Sequence, residues 1–119
     1  MVEINHKINE IIKKLILFRN VRKWKKFHNP KNLAISISLE AAELLEHFQW
    51  KNLEESTKFA QENKKKISDE IADLLIYILY LCNDLDIDFL EAINRKIEEN
   101  NIKYPVDKFK GKSNKYNEI

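Results

Sequence analysis

A single glycine in 119 residues leaves this chain almost no position where the backbone can take positive φ without steric cost. Folds built from many tight β-turns depend on such positions. Long helices joined by few connections are the architecture that remains. The chain also carries enough apolar side chains for a packed core, 44% of its residues, which excludes intrinsic disorder for its body.

Apolar spacing places four long helices. Ile4, Ile8, Ile11, Leu15 and Phe18 recur at steps of three and four, which marks one helical face over about 2–23. Asn29-Pro30 is a break, because proline disfavours helix for the residue before it. A second helix is expected over about 32–50, and the polar segment 51–63 holds a loop or a short helix. The third helix is expected over 64–83, ended by Asn83-Asp84-Leu85-Asp86. Asp88 with Glu91 resembles a capping box that opens a fourth helix to about 102, and Tyr104-Pro105 stops it. The tail over 108–119, rich in Lys, Asn and Ser, reads as a frayed end as readily as an ordered one. The expectation is an all-α fold, a four-helix bundle, with one domain over 1–105 and a basic polar tail over 106–119.

Charge and cysteine narrow the function. Lys and Arg number 21 and Asp and Glu 19, a net charge of +2, which gives no ground for a nucleic-acid or membrane partner. Cys82 stands alone, so an intrachain disulfide is excluded, and its apolar surroundings suit a buried small residue better than a reactive thiol. One cysteine and three scattered histidines are a poor zinc set. The N-terminal MVEINHKINE is too polar for a signal peptide, and the apolar run over 74–82 is too short for a bilayer, which takes about 20 residues. A cytoplasmic location is expected.

The informative residues are carboxylates in apolar company. On the second helix, Leu33, Ile37 and Leu44 fall within about 60° of Glu40 on one side, with Glu43 and His47 on the other. An isolated carboxylate among leucines is costly, so something positive should face Glu40. The third helix is apolar over more than half its circumference, leaving a strip of Lys66, Asp69, Glu70, Asp73, Tyr77, Tyr80 and Asp84. Glu70 and Asp73 repeat the i, i+3 spacing of Glu40 and Glu43, which lets two side chains converge on one ion. If the two helices run antiparallel, four carboxylates meet around one cavity. Oxygen-only ligands suit Mg²⁺, with Mn²⁺ as a substitute, and such ions complete their shells with water and phosphate oxygens. The same spacing also describes an ordinary solvated helix face. A di-iron bundle would want Glu-x-x-His pairs, and the chain has none.

These residues resemble a known family. Leu39-Glu40-Ala-Ala-Glu43-Leu-Leu-Glu-His-Phe-Gln-Trp50, followed by Asp69-Glu70-Ile-Ala-Asp73-Leu-Leu-Ile-Tyr77, is similar to the paired motif of the MazG-like all-α nucleoside triphosphate pyrophosphohydrolase superfamily. Trp24-Lys-Lys-Phe27-His28-Asn-Pro30-Lys-Asn32-Leu and Lys96-Ile-Glu-Glu-Asn100-Asn-Ile-Lys103-Tyr104-Pro105 resemble the dCTP pyrophosphatase branch. The resemblance implies cleavage of a (d)NTP to the monophosphate and pyrophosphate, with Mg²⁺ held by Glu40, Glu43, Glu70 and Asp73, the catalytic acids. It places Trp24, Phe27, Trp50 and Tyr77 around the base and sugar. It places Lys96, Asn100 and Lys103 at the phosphates, with Tyr104 beside them. Lys96, Asn100 and Lys103 form one helical stripe, which suits a polyphosphate and equally a solvated face. Both tryptophans also fit a permanent core. His28 and His47 are left out of the catalytic set. The branch carries a histidine where Leu15 stands, so the base preference stays open. A homodimer or dimer of dimers is expected, because the third helix has more apolar surface than three partners cover. The remaining alternatives are a dUTP- or phosphoribosyl-ATP-cleaving relative and a non-catalytic helical dimerisation module.

Overall fold

A computed structural model describes residues 2–112. Among them are six α-helices and no strand: α1 (Val2–Val21), α2 (Pro30–Glu46), α3 (Leu53–Glu62), α4 (Lys64–Asp84), α5 (Phe89–Lys103) and α6 (Val106–Phe109). The four long helices expected from apolar spacing are α1, α2, α4 and α5. The described residues form two compact units divided after Leu85, the first holding α1 to α4 and the second α5 and α6. Residues 113–119, the second half of the expected 106–119 tail, lie outside the described residues.

Several element ends differ from expectation for local reasons. The first helix stops at Val21 rather than Lys23, because Lys23 takes φ 56°. The Trp24 N–H then donates to the Arg19 carbonyl and the Lys23 N–H to the Asn20 carbonyl, both at 3.0 Å. This is a Schellman ending in which lysine stands where glycine is usual. The second helix starts two residues early, at Pro30. Proline has no N–H to lose at the first helical position, and the Asn29 side chain caps the Asn32 N–H at 2.8 Å. It ends at Glu46, not Trp50, and residues 47–50 form turns instead. The polar segment holds α3, opened by a capping box in which Asn52 and Glu55 satisfy each other's backbone N–H groups. At α5, Asp88 accepts from the Glu91 N–H at 3.1 Å.

Within the first unit α4 packs chiefly on α2, and also on α1 and α3. Its best-buried side chain is Tyr80, 4% exposed, whose hydroxyl donates to the Leu15 carbonyl at 2.7 Å. The Arg19 guanidinium lies 4.7 Å from the centre of that ring and makes two 2.8 Å hydrogen bonds to Asp84. Thus the C-terminal end of the polar strip on α4 faces inward, onto α1. The apolar faces of α2 and α4 are less well covered: Leu39 is 60% exposed, Leu45 56% and Leu75 50%. Cys82 is half-buried, and burial pushes its thiol up, away from reactivity. Among the described residues no helix is long and apolar enough to cross a membrane.

Candidate metal centre and aromatic pocket

Because α2 ends opposite the start of α4, with His47 Nε2 3.4 Å from Glu70 Oε1, and His28 before α2 lies against the Tyr77 and Tyr80 rings, the two helices run antiparallel. That direction carries the i, i+3 acids of one helix to those of the other. Carboxylate oxygens of Glu40, Glu43 and Glu70 lie within 4.8 Å of one another. Asp73 belongs to the same electrostatic group, since its charge acts on Glu40.

The cluster is strained as it stands. Glu40 is pushed up to about 7, first by burial, then by its hydrogen bond with Glu43, then by the charges of Glu43, Asp73 and Glu70. The charges that act on Glu40 are those of neighbouring carboxylates, Glu43, Asp73 and Glu70. Glu40 Oε2 and Glu70 Oε2 are both buried without a hydrogen-bond partner. Buried acceptors left without partners are costly and call for an explanation. A divalent cation supplies one. Its ligands are hard oxygens, and oxygens on opposite sides of such an ion lie about 4–5 Å apart. The residues therefore fit a Mg²⁺ or Mn²⁺ ion.

A pH dependence follows. In the folded, metal-free chain Glu40 holds its proton up to about pH 7, whereas an ordinary glutamate releases it near 4.5. The protonated form is favoured by folding, so this contribution is full below about pH 4.5 and disappears as pH rises through about 7. It amounts to on the order of 3 kcal/mol. Thermal melts in EDTA should show the midpoint falling between pH 5 and 8; a flat or rising midpoint would show that the acids do not crowd Glu40.

Glu40 and Asp73 also line a pocket of about 510 Å³ between α1, α2 and α4. Its volume is that of a small-molecule site. Phe18, Trp24, Tyr77 and Tyr80 form aromatic walls, and Leu15, Ile76, His28 and Lys14 complete it. Trp24 stands edge-on to Phe18, centroids 5.7 Å apart. His28 lies 5.0 Å from Tyr80 and is held toward its neutral form by burial and then by the charge of Arg19.

The expected nucleotide residues divide accordingly. Trp24 and Tyr77 are in the pocket. Phe27, 58% exposed, and Trp50, 88% exposed, do not line it, and an indole so exposed is not part of a core in this chain. Lys96, Asn100 and Lys103 lie on α5, and Tyr104 caps it, all in the second unit. Lys96 pairs with Glu99 at 3.2 Å, and the Tyr104 ring packs edge-on against Phe109 at 4.9 Å. Sequence reasoning missed Lys14, Phe18 and His28 as pocket residues, and the Arg19–Asp84 pair beneath it. One signal was present: Arg19 follows Leu15 by four residues, so it continues the apolar stripe of α1 and requires a buried partner.

The MazG-like family model matches residues 35–119. Rat dCTP pyrophosphatase 1 (Rattus norvegicus) is 34% identical over 104 residues, covering 86% of this chain and 61% of that protein. The human protein of the same name is 32% identical over the same shares. The chain therefore spans about three fifths of the length of these relatives. A solved pyrophosphatase structure from Archaeoglobus fulgidus is 48% identical, with a TM-score of 0.81, covering 84% of this chain and 94% of that one. By the family match over most of its length, on top of the paired acidic motifs, the chain belongs to the MazG-like family.

Proposed function

We propose that the protein is a Mg²⁺-dependent nucleoside triphosphate pyrophosphohydrolase that converts a (d)NTP to the monophosphate and pyrophosphate. The carrying observation is that Glu40 and Asp73 belong both to the acidic cluster and to the aromatic pocket. A base stacked among Trp24, Tyr77 and Phe18 then has its phosphates beside a site for a divalent cation. The names of the relatives support a pyrophosphate-releasing reaction and make dCTP or a modified pyrimidine nucleotide the first substrate to try. A panel of nucleotides assayed for pyrophosphate with Mg²⁺ tests the reading.

Glu40, Glu43, Glu70 and Asp73 would hold Mg²⁺, which supplies charge neutralisation at the phosphate oxygens and lowers the pKa of bound water. The chain's own groups do the rest. One of the four carboxylates would accept the proton of the attacking water. Lys96, Asn100 and Lys103, with Tyr104, are the proposed phosphate contacts. The aromatic walls hold the base and exclude water from its faces. Leu15 offers the base no side-chain hydrogen bond, and its carbonyl is already taken by Tyr80, so the preference for cytosine should be modest.

Stacking on an indole quenches its emission and is worth about 1–3 kcal/mol per base. Titrating a non-hydrolysable dCTP analogue with Mg²⁺ should therefore quench tryptophan fluorescence saturably, and Trp24→Phe should remove most of the change. Trp50→Phe should weaken binding more than it lowers the melting temperature, because an exposed indole contributes little packing. No quenching by any nucleotide would remove the indoles from the site. The exposed apolar faces of α2 and α4 are proposed to bury against a second copy. Light scattering at micromolar concentration should give a homodimer or dimer of dimers, and a monomer would refute it.

A further inference from the structure

Four residues after Glu43, the chain places a histidine that the reaction as proposed does not use. His47 is the C-cap of α2, and its ring is held from two sides. Phe59 of α3 stacks on it, centroids 5.5 Å apart and 24° from parallel, and Phe48 meets it edge-on at 6.5 Å. Phe48 in turn stands nearly perpendicular to Phe59, and the Lys51 ammonium lies 4.3 Å from the Phe59 ring centre while donating to the His47 carbonyl. The Asn52–Glu55 capping box fixes where α3 begins, and so where Phe59 is presented. The outcome of this packing is one polar contact: His47 Nε2 lies 3.4 Å from Glu70 Oε1, with both side chains about one fifth exposed. A carboxylate oxygen only accepts, so the imidazole proton sits on Nε2 in this contact. The other oxygen, Glu70 Oε2, is buried and without a partner.

We propose that His47 is a positioning residue for Glu70: by donating to Oε1 it fixes the carboxylate and leaves Oε2 as the acceptor for the divalent cation. The inference rests on the reading of the acidic cluster as a cation site. It also gives α3 a role, since the clamp that orients the imidazole comes from Phe59. A freely rotating glutamate must be ordered when it takes a cation, whereas one already tied at one oxygen has less freedom to lose.

Two variants separate the donor from the ring. His47→Phe keeps an aromatic ring against Phe59 without the N–H, and His47→Gln keeps an N–H at similar reach without the ring. Mn²⁺ binding to the full chain, without nucleotide, is read by electron paramagnetic resonance, alongside melting temperature in EDTA. The wild type should bind Mn²⁺, and His47→Phe should bind it about 10- to 100-fold more weakly, with His47→Gln recovering most of the loss. The melting temperature of metal-free His47→Phe should match the wild type. Equal Mn²⁺ affinity in His47→Phe overturns the positioning role while leaving the cation site standing. Failure of His47→Gln to recover binding, or a loss that follows a fall in melting temperature, shows packing rather than donation and also overturns it. A wild type that binds no Mn²⁺ removes the cation site itself, and the role of His47 with it.

Discussion

Glu43→Ala and Asp73→Ala are each expected to lower pyrophosphate release by at least about a hundredfold while the fold stays intact. Losing a group that merely supports a metal ligand costs about 10- to 100-fold, so losing a ligand should cost no less. The metal-free variants should melt at or above the wild-type temperature. The reason is that the charges of Glu43 and Asp73 both push Glu40 upward, and Glu43 does so through a hydrogen bond as well. Deleting either relieves like-charge repulsion. The fall of the melting midpoint between pH 5 and 8 should shrink in the same variants, since Glu40 returns toward its ordinary range. Wild-type protein at Mg²⁺ a hundred times its dissociation constant gains about 2.7 kcal/mol, and the variants should lose most of that gain. Assays of turnover and melts with and without Mg²⁺ check both halves. Near-normal turnover in both variants would contradict the placement of the metal.

The largest effect on stability belongs to residues that touch no substrate. Asp84→Ala should lower stability by about 3–5 kcal/mol, the usual cost of leaving one partner of a buried pair without the other. The Arg19 side chain is 3% exposed and that of Asp84 9%, and they share two 2.8 Å hydrogen bonds. Such a loss is a large part of a total of about 5–15 kcal/mol and should appear as a melting midpoint lower by on the order of 10 °C. Lys25, 3.3 Å from Asp84 but 57% exposed, contributes little. Replacing both partners with apolar residues, Arg19→Met with Asp84→Leu, should cost much less than Asp84→Ala alone. The pair also sets a low-pH limit. Arg19 holds the Asp84 carboxyl below its ordinary value through a hydrogen bond, and by its charge. This stability is present above the ordinary aspartate range and is lost as pH falls through the lowered pKa. Because the Arg19 guanidinium rests on Tyr80, a pocket residue, Asp84→Ala should weaken nucleotide binding too.

What was legible in the sequence was what repeats along a helix. Scarce glycine and steps of three and four gave the long helices, and the i, i+3 acids in apolar company gave the cluster of Glu40, Glu43 and Glu70. What was not legible depends on contacts far apart in the chain. Arg19 and Asp84 are 65 residues apart, as are Tyr80 and the Leu15 carbonyl it ties down. Nothing in the spacing of either helix says that these two pairs meet at and beneath the pocket wall. The ring of His47 is fixed by Phe59 from a segment whose polarity allowed either a loop or a short helix. Trp50 is the opposite case: a tryptophan in a small domain usually packs inside, yet this one stands in the turn after α2, 88% exposed. Helix ends were misplaced where side chains or backbone bonds decide them, as at Lys23 with its positive φ and at Pro30 behind the Asn29 cap.

The central claim is that the shared acids and aromatic pocket make a pyrophosphate-releasing, cation-dependent site. Phosphorus NMR of the full chain incubated with a panel of (d)NTPs and Mg²⁺ reads the products directly. The account predicts a nucleoside monophosphate and pyrophosphate from at least one (d)NTP, ending when EDTA is added and resuming with excess Mg²⁺. Orthophosphate as the sole product, or full turnover in EDTA, would contradict it.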